Sequence, residues 1–146
     1  IGNETKDIDA ARFAKEVENR GLNSLAIYHG RKYGEEKEAY FKQADIFAFP
    51  TLNEAFGLVA VEAMEYGIPV VASAEGGIPD IINNGNSGYT VEKNNPMALA
   101  SAIERLLKDH ELCNRMGKAG RKLFEEKFTE EVFEKKMMEC LNDAVQ

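Results

Sequence analysis

Two glutamates eight residues apart, Glu54 and Glu62, are the residues of this chain best placed to do chemistry. Glu62 lies within the apolar run "LVAVEAMEYG", where an acid without a partner would destabilise the fold. Its two oxygens match two adjacent hydroxyls of a ribose; a salt bridge or a local hydrogen bond is the alternative. Glu54 precedes that run, where it suits either a ligand contact or a cap on the helix that follows.

Free backbone amides and glycines accompany the two acids. The amides of Phe56, Gly57 and Leu58 lie at the predicted start of a helix, where unsatisfied N–H groups and the helix dipole favour a phosphate. Gly76 and Gly77 follow the next predicted strand and form a second loop, although a Gly-Gly pair is also a common turn. We expect both loops to lie at the same edge of a sheet.

The elements that must position these loops alternate between strand and helix. Apolar bursts at 45–50 ("DIFAFP") and 68–73 ("IPVVAS") predict strands buried on both faces, with a helix over about 57–66 between them. Such a crossover implies a parallel pair and an α/β fold. Further short strands are predicted at 25–30 ("LAIYHG") and at 89–91.

Helices flank the strands and fill the C-terminal part of the chain. Apolar spacing predicts an amphipathic helix over residues 8–20, and "GEEKEAYFKQA" at 34–44 predicts a second with acids in its first turn. Asn95 and Pro96 suit the N-cap and first turn of a later helix. The stripe of the last helix packs either on its own domain or on a part of the protein outside this chain. The predicted stripes of the last three helices are Leu99, Ile103, Leu106 and Leu107; Leu112, Met116, Ala119 and Leu123; and Phe133, Met137, Cys140, Leu141 and Ala144.

Composition and charge limit the classes of function. The 146 residues, 44% of them hydrophobic, suffice for one globular domain, and we interpret residues 1–146 as one. A net charge of −7 argues against nucleic acid as a partner. With no apolar run of roughly 20 residues and no signal segment, we expect a cytoplasmic protein. Cys113 and Cys140 are too far apart for a metal motif and are expected to be packing thiols.

The sequence resembles one known family from "ADIFAFPTLNEAFGLVAVEAMEYGIPVVASAEGGIPDIINNGNSGYTV" into "NNPMALASAIERLLKD". This family is the C-terminal, nucleotide-sugar-binding domain of retaining glycosyltransferases of the GT-B fold, glycosyltransferase family 4 (group 1). The Glu-x7-Glu pair, the Phe-Gly-Leu insert and the Gly-Gly loop carry the likeness. The resemblance implies a Rossmann-like parallel sheet with helices on both faces, the C-terminal half of a GT-B fold, with a helical C-terminus.

The resemblance also implies a role for each motif. Glu54 would contact the donor sugar and support the positive charge that develops at its anomeric carbon, and Glu62 would hold the donor ribose hydroxyls. The amides of residues 56–58 would bind sugar or diphosphate. Front-face substitution, in which the leaving diphosphate helps deprotonate the incoming hydroxyl, would retain the configuration. No metal or cofactor is required by that scheme.

Two further loops complete the implied site. The turn at Gly30 and Arg31 would lie near the nucleotide base, and Gly76 and Gly77 would contact the donor. The partners would be a nucleotide-sugar donor and a carbohydrate, lipid or small-molecule acceptor, which allows peripheral membrane association of the parent protein in polysaccharide or envelope synthesis.

The start of the chain, "IGNETKD", has no initiator Met and reads as the end of a strand followed by a turn. We therefore expect the upstream part of the domain, with the family's basic diphosphate clamp, and an N-terminal acceptor-binding domain to be missing, and the isolated chain to be inactive. Two alternatives stay open: a GT-B nucleotide-sugar epimerase, which would form product without an acceptor, and a non-catalytic nucleotide-binding module.

Overall fold

The computed structural model describes residues 9–145 of the chain. The described residues up to Tyr40 form one compact unit, and those from Phe41 onward form a second. The segment "IGNETKD" and the first residue of the helix predicted at 8–20 lie outside the described residues. Within the described part of the chain, no helix is both long enough and apolar enough to cross a membrane.

The first unit begins with helix α1 (Ala10–Asn19), which confirms the amphipathic helix predicted from apolar spacing. Asp9 caps this helix, because its Oδ1 accepts the Arg12 amide at 2.8 Å. Val17 on α1 is buried, whereas the rest of the helix is largely exposed. Helix α2 (Gly34–Gln43) follows, with acids in its first turn as predicted.

The strand predicted at residues 25–30 is wrong. The amides of Leu25 and Ala26 both bind the Leu22 carbonyl oxygen, at 2.8 and 2.9 Å, so the chain turns here. The side chains of Leu25 and Ile27 are 79% and 68% exposed. A strand requires a hydrogen-bonded neighbour, and no described strand pairs with this segment. An apolar composition without a pairing partner does not make a strand.

The second unit is built on a three-stranded parallel sheet in the order β1-β2-β3. The strands are β1 (Phe47–Phe49), β2 (Val70–Ser73) and β3 (Gly88–Val91). Helix α3 (Leu58–Glu65) connects β1 to β2, which confirms the predicted strand, helix, strand crossover. The register places Ala48, Val71 and Tyr89 side by side.

Burial separates the central strand from its neighbour β1. Strand β2 is buried along its whole length, as predicted. In β1, by contrast, Phe47 and Phe49 are half-buried and Ala48 is exposed. Among the described residues β1 pairs only with β2, which makes it an edge strand. The prediction that 45–50 is buried on both faces is therefore wrong, because an apolar burst does not distinguish the edge of a sheet from its centre.

Helices cover both faces of this sheet. Val70 and Ala72 pack on one face with residues of α3 and of the short helix α4 (Ile78–Ile81). Val71 lies on the opposite face and joins Leu106 in a second apolar cluster. Successive side chains of a strand alternate between faces, so one buried strand serves both clusters. The α/β architecture with helices on both faces is thus confirmed.

The C-terminal end is helical, as predicted, with α5 (Pro96–Lys108), α6 (His110–Lys127) and α7 (Glu130–Val145). Asn95 is the N-cap of α5, since its Oδ1 accepts the Ala98 amide at 3.0 Å. The predicted N-cap at Asn95 is therefore confirmed.

The buried stripes predicted on these helices are only partly correct. Leu106, Leu112 and Met116 are buried, but Leu107 is 58% exposed. Packing of the α7 stripe on its own domain, one of the two predicted alternatives, is wrong for the described residues. Helical spacing identifies an apolar face but not whether another element covers it. The exposed stripe residues of α7 are Phe133, Met137, Cys140, Leu141 and Ala144.

Helices α3 and α6 approach each other closely at two glycines. A Cβ atom on Gly117 of α6 would lie 2.1 Å from the carbonyl oxygen of Gly67, the second residue after α3. Both partners are backbone, so no side chain can move away to make room. At Gly120, one turn later, a Cβ would lie 3.5 Å from Met64 Cγ and from the Ser87 carbonyl oxygen, which is ordinary contact.

We therefore predict that two alanine substitutions on α6 differ in their effect on the free energy of unfolding. Gly117→Ala lowers the free energy of unfolding by about 2 kcal/mol, because the overpacking outweighs the gain in helix propensity. Gly120→Ala, the matched control, leaves it unchanged or raises it by up to about 1 kcal/mol. Urea unfolding of both variants checks this; a Gly117→Ala protein as stable as Gly120→Ala would contradict the close approach.

Candidate functional site

The Glu54 carboxylate lies on a concave run of backbone amides just before α3. Its Oε1 accepts hydrogen bonds from the amides of Ala55, Phe56 and Gly57, at 3.0, 3.2 and 3.0 Å. Consecutive N–H groups that converge on one point form a nest for an anion, and the start of the helix adds positive potential. We call these three amides the amide nest. Of the two roles that the sequence allows for Glu54, the structure shows the local, amide-capping one.

The amide nest overlaps the amides that the resemblance assigns to a ligand. The amides of Phe56 and Gly57 bind the Glu54 carboxylate here, so a ligand oxygen that takes them has to displace that carboxylate oxygen. Around the nest, the side chains of Leu52, Phe56 and Leu58 are all exposed. Exposed apolar side chains beside an anion-binding nest are typical of a binding surface.

Gly57 is required by both conformation and packing. Its φ is +101°, in the region that favours glycine, and a Cβ here would lie 2.4 Å from Ile78 Cδ1 of α4. The missing side chain therefore lets the start of α3 approach α4. Leu58, the first residue of α3, is exposed, whereas Ala60 and Val61 in the same turn are buried.

Glu62 lies on α3, roughly one and a half turns beyond the amide nest. Its side chain is half-buried between the buried residues Val61 and Ala63. It already has an interaction within the structure and is not an unpaired buried charge. The half-buried position leaves part of the Glu62 side chain exposed.

The loop that follows β2 packs directly on the backbone of the Glu54 loop. A Cβ on Gly76 would lie 1.9 Å from the Glu54 carbonyl oxygen, and one on Gly77 would lie 2.9 Å from the Phe56 carbonyl oxygen. The Gly77 amide donates to the Ala55 carbonyl oxygen at 2.9 Å. The structure thus brings the Gly-Gly loop and the Glu54 loop together at the carboxyl ends of β1 and β2, as predicted from the parallel topology.

Gly30 and Arg31 belong to the first unit. Gly30 has a φ of +64°, which is consistent with a turn. The exposed Arg31 guanidinium stacks on the Tyr33 ring, 4.9 Å from its centre. His29, next to them, has its Nδ1 2.8 Å from the Tyr40 hydroxyl, which gives this histidine a structural partner.

Sequence reasoning missed one charged pair at the site. Lys93 Nζ, in the loop after β3, lies 2.7 Å from Glu75 Oε2, in the loop that leads to Gly76. The two residues are 18 positions apart and come from different strand exits, so no local pattern connects them. Among residues 9–145, no group of three His, Cys, Asp or Glu side chains could hold a metal ion.

A separate cleft of about 420 Å³ opens at the amino ends of β1 and β2 and includes Asp45, His110 and Cys113. Burial, together with the Asp45 charge, raises the pKa of the Cys113 thiol. A thiol that stays protonated at neutral pH is a poor nucleophile, which argues against cysteine chemistry in this cleft. Cys113 is partly buried, whereas Cys140 is exposed on α7 and is not a packing thiol of the described residues.

Comparison with known proteins decides the family. The family model described as glycosyl transferases group 1 matches residues 6–123 of the chain. The chain belongs to this family. It is 38% identical over 101 residues to the D-inositol 3-phosphate glycosyltransferase of Corynebacterium jeikeium, which covers 69% of the chain and 24% of that protein. The chain thus spans about a quarter of the length of this relative.

Solved structures place this group 1 domain among the GT-B glycosyltransferases. Sucrose-phosphate synthase from Thermosynechococcus elongatus superposes with a TM-score of 0.84 and 29% identity, over 98% of this chain and 37% of that one. Anabaena HepE in complex with UDP-glucose superposes with a TM-score of 0.81 and 22% identity, over 91% of this chain and 36% of that one, which shows the shared fold.

We predict that Glu54 stabilises this group 1 domain through its hydrogen bonds to the amide nest. Glu54→Ala removes the acceptor of three amides and lowers the free energy of unfolding by about 1 kcal/mol. Glu54→Gln keeps a neutral oxygen acceptor and loses less. Glu92→Ala, at an exposed position beyond β3, is the control and changes little. Urea unfolding compares the three variants; a Glu54→Ala protein no less stable than the control would contradict the role of the carboxylate in the nest.

Proposed function

We propose that this chain is the donor-binding domain of a glycosyltransferase that transfers a sugar, with retention, from a nucleoside-diphosphate sugar to an acceptor hydroxyl. The observation that carries the proposal is the amide nest with the Glu54 carboxylate on it, at the start of the helix that also carries Glu62. Membership of the group 1 family supports it. Anabaena HepE, which shares the fold, has been crystallised with UDP-glucose, and we extend a nucleotide-sugar donor to this chain.

The proposed reaction exchanges two bonds at the anomeric carbon of the donor sugar. The bond from this carbon to the diphosphate oxygen breaks, and a bond to the acceptor oxygen forms on the same face. The acceptor proton passes to the leaving diphosphate, so the protein supplies position and charge rather than a separate base. Glu54 stabilises the positive charge that develops on the sugar as the leaving bond lengthens. This scheme requires no metal ion.

Donor binding also involves the amide nest. An oxygen of the donor sugar or diphosphate takes the Phe56 and Gly57 amides, with the Leu58 amide next to them. The Glu54 carboxylate, which holds two of these amides in the free protein, is displaced toward the sugar. The exchange replaces one charge-assisted set of hydrogen bonds with another, so it conserves most of their free energy.

Glu62 accepts hydrogen bonds from the two ribose hydroxyls of the nucleoside. In the first unit, the turn at Gly30 and Arg31 is our candidate contact for the base. Because the chain spans about a quarter of its D-inositol 3-phosphate glycosyltransferase relative, we assign transfer to the full-length protein, with acceptor binding outside this chain. We propose a cytoplasmic enzyme that acts on a carbohydrate, lipid or small-molecule hydroxyl.

We predict that Glu62→Gln weakens nucleotide binding through the ribose. Calorimetric titration of the full-length protein with UDP, GDP and ADP, and with their glucose derivatives, identifies the preferred base. For that base, Glu62→Gln raises the Kd about 10-fold, since a charged hydrogen bond contributes about 1.5 kcal/mol or more. The wild type binds the 2′-deoxy nucleotide about 10-fold more weakly than the ribonucleotide, whereas Glu62→Gln binds the two alike.

Glu65→Gln, at an exposed position of the same helix, is the control and keeps both Kd values. A Glu62→Gln protein that still distinguishes the ribose from the deoxyribose form would contradict the assignment of Glu62. Full-length protein that binds no member of the panel would contradict the proposed function. Product formed without an acceptor would favour an epimerase, and a β-linked product from an α-linked donor would exclude retention.

A further inference from the structure

The two loops at the carboxyl ends of β1 and β2 leave no space for a side chain between them. Gly76 has a φ of +53°, and a Cβ there would lie 1.9 Å from the Glu54 carbonyl oxygen and 2.7 Å from that of Ala55. At Gly77 a Cβ would lie 3.2 Å from Phe56 Cα. The space in front of each glycine is therefore filled by this chain's own backbone.

The Gly-Gly loop is itself anchored to the third strand. The Ala74 amide donates to the Val91 carbonyl oxygen at 2.7 Å, and the Ile78 amide donates to the Glu75 carbonyl oxygen at 3.1 Å. The ion pair of Lys93 with Glu75 adds a side-chain tie at 2.7 Å. The Ala74 hydrogen bond and the Lys93 ion pair are each modest, but both join the start of the loop to the exit of β3, and the Ile78 hydrogen bond closes a turn within the loop. The Gly-Gly loop, on which the Glu54 loop packs, is thus held in place by the sheet.

We infer that Gly76 and Gly77 are positioning residues, which serve sugar transfer by fixing the backbone of Glu54 rather than by touching the donor. The inference rests on the proposed function. The peptide groups on either side of Ala55 are held by the Gly77 hydrogen bond and by the contact of Gly76 with the Glu54 carbonyl oxygen. A methyl group on Gly77 must push the Phe56 carbonyl away, and the Glu54 peptide moves with it. Displacements of about 1 Å can reduce a reaction rate by about 100-fold.

Gly77→Ala is the sharpest test, because its φ is −78° and alanine adopts that conformation without strain. The added methyl group meets the backbone of Phe56 and, at 3.4 Å, the Ala55 carbonyl oxygen. Gly85→Ala is the matched control: Gly85 has a φ of +83°, but a Cβ there meets nothing within 4 Å. This control measures the effect on kcat of an alanine at a position of positive φ away from the Glu54 loop.

The experiment is a double-mutant cycle in the full-length protein with Glu54→Gln. With the nucleotide glucose that the wild type uses, Gly77→Ala is expected to lower kcat at least 10-fold. In the Glu54→Gln background the same substitution is expected to lower kcat less than 3-fold, since the carboxylate whose position matters is already gone. Gly85→Ala leaves kcat within 2-fold in either background. A structural defect alone would lower kcat equally in both backgrounds.

Binding provides a second readout where the Glu54→Gln rate is too slow to measure. The ratio of the Kd for the nucleoside diphosphate to the Kd for its glucose derivative reports the sugar contact, and Gly77→Ala is expected to change it only when Glu54 is present. If Gly77→Ala does not fold, Lys93→Ala loosens the same loop from outside. It is expected to lower kcat about 3-fold, again only when Glu54 is present.

Additive effects of Gly77→Ala and Glu54→Gln would overturn the inference. An unchanged kcat in Gly77→Ala would overturn it as well. Wild-type protein that neither binds nor uses any nucleotide glucose of the panel would instead refute the proposed function, and the inference with it.

Discussion

The carboxyl edge of this domain depends on one contact of backbone against backbone, in which Gly76 and Gly77 pack on residues 54–56. The contact follows from the sheet. Strands β1 and β2 are adjacent and parallel, so their exits are separated by about 5 Å and the two loops that follow have to share one small volume. The two loops can share this volume if one of them turns away, or if one of them consists of glycines, which have no side chains. In this chain one loop consists of glycines, and the backbone of the Glu54 loop is thereby fixed to the sheet.

The helix that carries Glu62 is also in close contact with its neighbours at glycines near both of its ends. At its start Gly57 lies against Ile78, and just beyond its end Gly67 lies against Gly117 of α6. Close approach of this kind leaves little freedom for the helix to slide or rotate, since interiors are packed at crystal-like density. Gly57, Gly67 and Gly117 thus limit where the second acid can be. This explains why an eight-residue helix, too short to be stable alone, can hold a functional side chain.

Sequence patterns predicted the parts of the fold that local chemistry controls. The crossover helix, the central strand and the Asn95 cap follow from apolar runs and capping residues, and the structure confirms them. The strand at 25–30 and the burial of β1 were wrong, as was one of the two alternatives for the α7 stripe, its packing on its own domain. Each depends on whether another element lies alongside. In the site, too, the sequence predicted that the two loops lie at one edge of the sheet. It could not predict their mutual contact or the Lys93 ion pair, because both depend on tertiary packing.

The structure gives a physical reason for the positions of Glu54 before the helix and of Glu62 within it. Glu54 precedes the helix, where the amides that lead into the first turn have no partners within the helix. Glu62 is on the helix, where its side chain is held half-buried. The first acid is therefore held by hydrogen bonds that a ligand can replace, and the second by the packing around it. Under the proposed function, two identical side chains in one motif therefore have different tasks: Glu54 responds to the ligand, and Glu62 provides a fixed contact for it.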